Sequence, residues 1–62
     1  MDIQAGEVYT TEDGFTVKIV NIKVKLHSGM SVVIKCEVNG EFEYIILPGN
    51  EKEVKTWVRV EA

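Results

Sequence analysis

The stretch from Phe15 to Leu26 alternates apolar and polar residues, and the phase of that alternation changes near its middle. Period-two alternation is typical of a strand with one buried face, and its phase changes only where the chain adds a residue. We therefore predict one long strand, bent by a β-bulge near Val20 and Asn21; the alternative is a strand that ends at Val20 and restarts. The apolar residues are Phe15, Val17 and Ile19 before the change and Ile22, Val24 and Leu26 after it.

Turn-forming dipeptides divide the rest of the chain into short segments rich in valine, isoleucine, threonine and aromatic residues. This pattern is typical of short antiparallel strands in a meander or barrel. The sequence predicts a single all-β domain spanning residues 1–62, a small barrel of about five bent antiparallel strands, with one helical turn before the last strand. The expected strands cover residues 7–10, 15–26, 31–38, 41–47 and 55–61, and the helical turn covers residues 49–54, with Asn50 as its candidate cap.

The third and fourth strands are joined at Asn39-Gly40, and their patterns favour a three-residue loop, 38–40. That loop ends in a left-handed residue, a position that suits glycine. It would make every inward pair apolar and would place Lys35 opposite Glu43 on the outer face. The expected inward pairs are Cys36 with Phe42, Ile34 with Tyr44 and Val32 with Ile46.

The chain has 62 residues, one cysteine and one histidine. A domain this small is marginally stable, and these residues provide neither an internal disulfide nor the four ligands of a structural zinc site. Good packing or homodimerisation must supply the stability instead. No metal or cofactor site is predicted.

The expected location is the cytoplasm. A core-facing thiol at Cys36 suits a reducing compartment. Residues 1–6 include Asp2 and lack the basic start and apolar run of a signal peptide. The longest apolar runs have three residues, too short for a membrane span, so no membrane association is expected.

Several short motifs together resemble an SH3-like small barrel. They are Gly6, Val8 and Tyr9 in the opening strand, a bent second strand, a hairpin, a one-turn connection and the closing segment Trp57 to Val60. The nearest likeness is to small SH3-like proteins of bacteria and phages. The resemblance implies the fold, because such barrels have many unrelated functions. It also suggests a phage or mobile-element accessory or inhibitor protein.

The residues that resemble catalytic groups have simpler interpretations. His27 lies beside Ser28 and near Ser31, but no acid between Gly14 and Cys36 is available to orient the histidine, so it is expected to be a solvated turn residue. Cys36 is expected to be a small core residue. Glu41 and Glu43 are expected to be solvated residues of one strand. The sequence therefore predicts a protein that is not an enzyme.

Apolar residues on the expected outer face suggest a protein-binding patch. In the three-residue-loop register Val33 faces Ile45, and Trp57 lies on the outer face of the fifth strand with Arg59. A contiguous exposed apolar patch is typical of an interface, and tryptophan is a common anchor. The alternative is that Trp57 folds over one end of the barrel and covers the core. The leading hypothesis is a non-enzymatic interaction module with a protein partner, either another protein or a second copy of the chain.

The alternative function is nucleic-acid binding by a row of lysines. The net charge is −3, but residues 14–36 contain four lysines and no acid. All four are expected on the outer face, with Lys23 opposite Lys35, and the simpler interpretation of them is ordinary solubility. Exposed strand edges could also accept a partner's strand. The four lysines are Lys18, Lys23, Lys25 and Lys35.

Overall fold

The computed structural model describes residues 3–26 and 29–60 and confirms the predicted all-β class. The strands are β1 (Val8–Thr10), β2 (Thr16–Leu26), β3 (Met30–Val38), β4 (Glu41–Leu47) and β5 (Val58–Arg59). A short helix, α1 (Glu51–Lys55), precedes β5 as expected. β5 is shorter than predicted because Lys55 ends the helix instead of starting the strand.

The five strands form one antiparallel sheet in the order β4-β3-β2-β1-β5. Within the described residues, β4 and β5 are the two edges of this sheet. The sheet's inner face carries the fully buried side chains Ile19, Ile34 and Cys36, and the opposite face is called the outer face below.

The predicted bulge in β2 is confirmed. Ile19 pairs with Cys36 and Asn21 pairs with Lys35, so the register between β2 and β3 shifts by one residue at Val20. The extra residue allows both Ile19 and Ile22 to lie on the inner face, although they are three residues apart. Period-two alternation therefore continues on both sides of the bulge.

The predicted three-residue loop between β3 and β4 is wrong. Asn39 and Gly40 form a two-residue turn, and Val38 pairs with Glu41. Both turn residues have positive φ, 53° and 80°, which is the backbone of a type I′ turn. This turn matches the twist of the flanking strands, a local preference of Asn-Gly that the burial argument did not weigh.

The observed register reverses the two faces of β4. Ile45 pairs with Ile34 and Leu47 pairs with Val32, so these two aliphatic residues lie on the inner face. The other face carries the residues that the sequence assigned to the core, which are Phe42, Tyr44 and Ile46.

Residues from outside the β2–β4 strands complete the core. Val54 of α1 and Trp57, which follows the helix, are buried together with Tyr9 of β1. The Trp57 amide donates to the Val54 carbonyl, with an N–O distance of 3.1 Å, and this bond holds the turn that leads from α1 to β5. Asn50 lies at the N-cap position, but its side chain donates to the Ile46 carbonyl instead of capping the helix.

The β2–β3 hairpin extends beyond this core. Past Ile22 and Ile34, its inner-face residues Val24, Leu26 and Met30 are largely exposed. In the described parts of the chain, no helix has the length and apolar character needed to cross a membrane.

Candidate functional site

A cleft of about 340 Å³ opens on the inner face, between the turn that precedes β2, the strands β3 and β4, and helix α1. Its walls combine apolar side chains with carboxylates. The apolar side chains are Phe15, Val17, Cys36, Val38, Ile45 and Trp57, and the acidic ones are Asp13, Glu41, Glu43 and Glu53.

The two-residue turn places two of the four acids in the cleft. Because Val38 pairs with Glu41 and Cys36 pairs with Glu43, both glutamates share the inner face with the core. Asp13 comes from the turn before β2, and Glu53 comes from the first turn of α1. The sequence interpretation of Glu41 and Glu43 as unremarkable strand residues missed this convergence.

The four cleft carboxylates lack a basic partner in contact. Over residues 3–26 and 29–60, the ion pair found joins Arg59 to Glu7, outside the cleft. The cleft is therefore a concentration of uncompensated negative charge beside an apolar surface.

The thiol of Cys36 reports the electrostatics of the cleft. Burial raises its pKa from 9.0 to about 11, and the negative charges of Glu43 and Glu53 act in the same direction. Glu43 lies on β4 and Glu53 on α1, so carboxylates from two elements act on the same apolar surface. A thiol with so high a pKa is a poor nucleophile at neutral pH, because the thiolate is the reactive form.

Trp57 is 9% exposed, so the prediction that it lies on the outer face is wrong. Its burial agrees with the alternative prediction that Trp57 covers the core. The residue belongs to the turn after α1 and precedes β5, so strand alternation does not apply to it. Its ring lies 6.0 Å from that of Tyr9, centroid to centroid, at 44°. In the described structure its buried indole Nε1 has no hydrogen-bond partner.

The predicted protein-binding residues do not form one exposed patch. Trp57 and Ile45 do come together, but they line the cleft on the inner face. Val33 lies on the outer face, opposite Ile46 instead of Ile45. The grouping failed because it depended on the three-residue loop.

Arg59 forms an ion pair with Glu7, the residue before β1, and its side chain remains 58% exposed. Its Nε lies 3.3 Å from the Glu7 carboxylate, which also accepts bonds of 2.7 Å from the Tyr9 hydroxyl and from the backbone N–H of Gln4. The Tyr9 bond, the Gln4 bond and the charge of Arg59 lower the pKa of Glu7. Glu7 therefore links the first and last strands, a role that the sequence analysis missed.

The predicted outer-face position of the four lysines agrees with the strand register. Lys18 pairs with Glu37, Lys23 with Val33 and Lys25 with Ser31. Lys35 pairs with Asn21, so the predicted opposition of Lys23 and Lys35 is wrong, because the strands already pair at Leu26 and Met30 and this short connection sets Lys23 opposite Val33.

The outer face of β4 carries an exposed apolar strip, defined here as Phe42, Tyr44 and Ile46. Their exposed fractions are 56%, 64% and 52%. The ammonium group of Lys35 lies 4.5 Å from the centre of the Phe42 ring, which is a cation–π contact. The strip thus lies beside Lys35 and on the opposite side of the sheet from the acidic cleft.

The remaining candidates for chemistry do not assemble into a site. His27 and Ser28 lie outside the described residues, and Ser31 lies in β3 opposite Lys25. Where the chain is described, no three histidine, cysteine or acidic side chains are grouped to hold a metal ion.

Comparison of the chain with protein-family models, with curated proteins and with solved structures gave no match.

Proposed function

We propose that the chain is a non-enzymatic protein-binding module and that its acidic cleft takes a lysine- or arginine-bearing segment of a partner protein. The observation that carries the proposal is the presence of four unpaired carboxylates around an apolar cleft of about 340 Å³. The partner is thereby defined by its chemistry, as a basic segment.

The apolar and acidic parts of the cleft match the two parts of a basic side chain. Lysine and arginine bury their methylene stems on apolar surfaces while their charged ends remain polar. In this cleft the stem would pack near Ile45 and Val38, and the cation would meet Glu43 or Glu53. Charge-assisted hydrogen bonds to carboxylates are stronger than neutral ones, so these acids favour a basic ligand.

A titration with short arginine-rich peptides tests this function. The chain has one tryptophan, and it lines the cleft, so its fluorescence should change on binding. Glu43→Gln and Glu53→Gln should each weaken binding by about twofold to fivefold, the range expected for partly exposed ion pairs. Added salt should also weaken binding, because it screens these charges.

Glu37→Gln is the matched control, since it removes the same charge from the outer face, opposite Lys18. It should leave peptide affinity nearly unchanged. Equal losses in all three variants would show that only net charge matters, and the cleft would then not be the binding site.

A second candidate function, binding of single-stranded nucleic acid, is supported by the outer face. Four lysines share this face with the exposed rings of Phe42 and Tyr44, and Lys35 lies directly beside them. Single-strand binders combine basic surfaces for phosphates with aromatic rings on which bases stack. The net charge of −3 counts against this candidate, so it ranks second.

Fluorescence anisotropy with a labelled oligothymidylate tests the second candidate. Lys23→Glu and Lys25→Glu should abolish binding at low salt, while Lys52→Glu, on α1, should have a much smaller effect. Absence of binding by the unmodified chain at low salt would rule this function out.

We also propose a reducing, cytoplasmic location, supported by the free and buried thiol of Cys36. The accessory or inhibitor role implied by the resemblance to SH3-like proteins of bacteria and phages is part of the same proposal. A basic target segment would be the feature through which such a protein recognises its partner.

A further inference from the structure

Strand β4 is a regular edge strand with one hydrogen-bonded neighbour among the described residues, β3. All seven of its residues pair with β3 without a register shift. Natural edge strands are commonly protected by charged side chains, proline or a bulge, because their free N–H and C=O groups can pair with another strand. The segment Glu41–Leu47 has no lysine, proline or bulge, and its two charges, the inward-pointing Glu41 and Glu43, lie within its first three residues.

The exposed strip of Phe42, Tyr44 and Ile46 runs along this same edge. A strand added beside β4 would therefore gain backbone hydrogen bonds and cover apolar side chains at once. The sequence of β4 indicates that the added strand is β4 of a second copy.

When two β4 strands pair in antiparallel fashion, only every second register sets the outer-face residues of one strand opposite the outer-face residues of the other. The reason is that side chains alternate between the two faces of a strand. In the register centred on Glu43, the two Glu43 side chains meet directly, and like charges there are unfavourable. In the register centred on Ile45, Phe42 extends past the partner strand to the partner's Pro48. These two registers are therefore disfavoured.

The register centred on Tyr44 has neither defect. Tyr44 meets the partner's Tyr44, and Phe42 meets the partner's Ile46, so every outer pair is apolar. On the inner face, Glu43 meets the partner's Ile45 and Glu41 meets the partner's Leu47. No two acids lie directly opposite each other, and the strand is self-complementary as a two-fold interface requires.

We propose that two copies of the chain form a dimer by antiparallel pairing of their β4 edges, with Tyr44 on the two-fold axis. The result is a continuous ten-stranded sheet with an apolar seam on its outer face. Dimerisation also adds buried apolar surface to a domain whose size limits its own core. The interface involves the edge of β4 and both of its faces, and its formation does not require a peptide in the cleft.

Analytical ultracentrifugation of the full chain over a range of concentrations tests the dimer. Tyr44→Lys places two like charges on the axis and should raise the dimer dissociation constant by about tenfold or more. Val58→Lys is the matched control, because Val58 is an exposed apolar residue on the other edge strand, and it should leave the constant unchanged. A chain that remains monomeric at all concentrations, or equal effects of the two variants, would overturn the proposal.

Disulfide trapping tests the register. Tyr44→Cys should yield a cross-linked dimer under mild oxidation, because directly opposite residues have Cβ atoms about 5 Å apart. Phe42→Cys should not, since two copies of residue 42 are offset by four residues, or about 13 Å along the strands. Efficient cross-linking of Phe42→Cys and not of Tyr44→Cys would refute the Tyr44-centred register.

The dependence on salt concentration distinguishes the proposed dimer from the proposed binding of a basic peptide. The two Glu43 side chains become diagonal neighbours about 7–8 Å apart in the dimer, so screening should tighten the dimer, whereas it should weaken binding of a basic peptide. Peptide binding without self-association would contradict only the proposed dimer. A dimer that does not bind basic peptides would contradict only the proposed function of the cleft.

Discussion

Cys36 lies on β3 between Ile19 of β2 and Glu43 of β4, with no exposed surface. The structure makes its thiol a core group whose proton is retained to high pH. The folded chain therefore binds this proton more tightly than the unfolded chain does, since the pKa rises from 9.0 to about 11.

The pKa of Cys36 predicts a stability change in alkaline solution. A raised pKa contributes stability that is complete below the unfolded value of 9.0 and is lost as the pH rises towards about 11. We expect the free energy of urea unfolding to fall across this interval by more in the natural chain than in Cys36→Ala. Equal falls in the two proteins would mean that lysine or tyrosine titration accounts for all of the change.

Trp57 contributes packing and also leaves a polar atom unpaired. An unpartnered buried N–H costs about 1–3 kcal/mol, and removing it should offset part of the weaker packing of a smaller ring. We expect Trp57→Phe to change the unfolding free energy by less than about 1 kcal/mol, and Trp57→Ala to cost about 3–5 kcal/mol. Denaturant unfolding monitored by circular dichroism measures both, and equal losses would contradict this account of the indole.

The turn between β3 and β4 is the element that decides which residues enter the cleft. Its two residues, Asn39 and Gly40, hold positive φ angles, and this geometry sets the pairing of every residue of β4. Placement of Glu43 in the cleft and of Tyr44 at the exposed edge follows from one short turn.

Substitutions in this turn should follow the backbone geometry. A Cβ at Gly40 would meet no atom within 4 Å, so Gly40→Ala should cost only the left-handed conformation, about 1–2 kcal/mol of unfolding free energy. Asn39→Gly should be nearly neutral, because glycine accepts a positive φ. If Asn39→Gly lowered the unfolding free energy as much as Gly40→Ala does, the left-handed backbone conformation of Asn39 would be contradicted.

At the scale of the whole molecule, charge and stability are both unevenly distributed. The cleft gathers four acids on one side of the sheet, and four of the six lysines occupy the other. The middle of the sheet, β2 and β3, carries the three fully buried side chains, whereas β5 has two residues that pair with β1.

Amide hydrogen exchange should reproduce this gradient. We expect the slowest exchange in the central strands, at Ile19 and Cys36, where opening requires disruption of the core. Val60 should exchange faster, since local opening of the last strand suffices to break the bond from its amide to the Val8 carbonyl. Exchange of Val60 as slow as that of Cys36, measured by NMR, would show that this strand opens only when the whole molecule unfolds.

Local sequence patterns were sufficient for the features that depend on near neighbours. The phase change in 15–26 located the bulge, turn dipeptides located the breaks between strands, and the lysine alternation located the outer face of β2. In each case the period of a strand relates a residue's position to its face, and no distant contact is needed.

The faces of β4 and the position of Trp57 required the packed structure. Two turn lengths are compatible with Asn39-Gly40, and they differ by one residue, which exchanges every side chain of β4 between the faces. The aromatic residues of β4 were expected in the core because of their size. Instead, α1 and the turn after it bring Val54 and Trp57 to the inner face, and Ile45 and Leu47 pack there from β4. Alternation within a strand says which residues share a face, whereas competition among distant segments for one small core decides which face is buried.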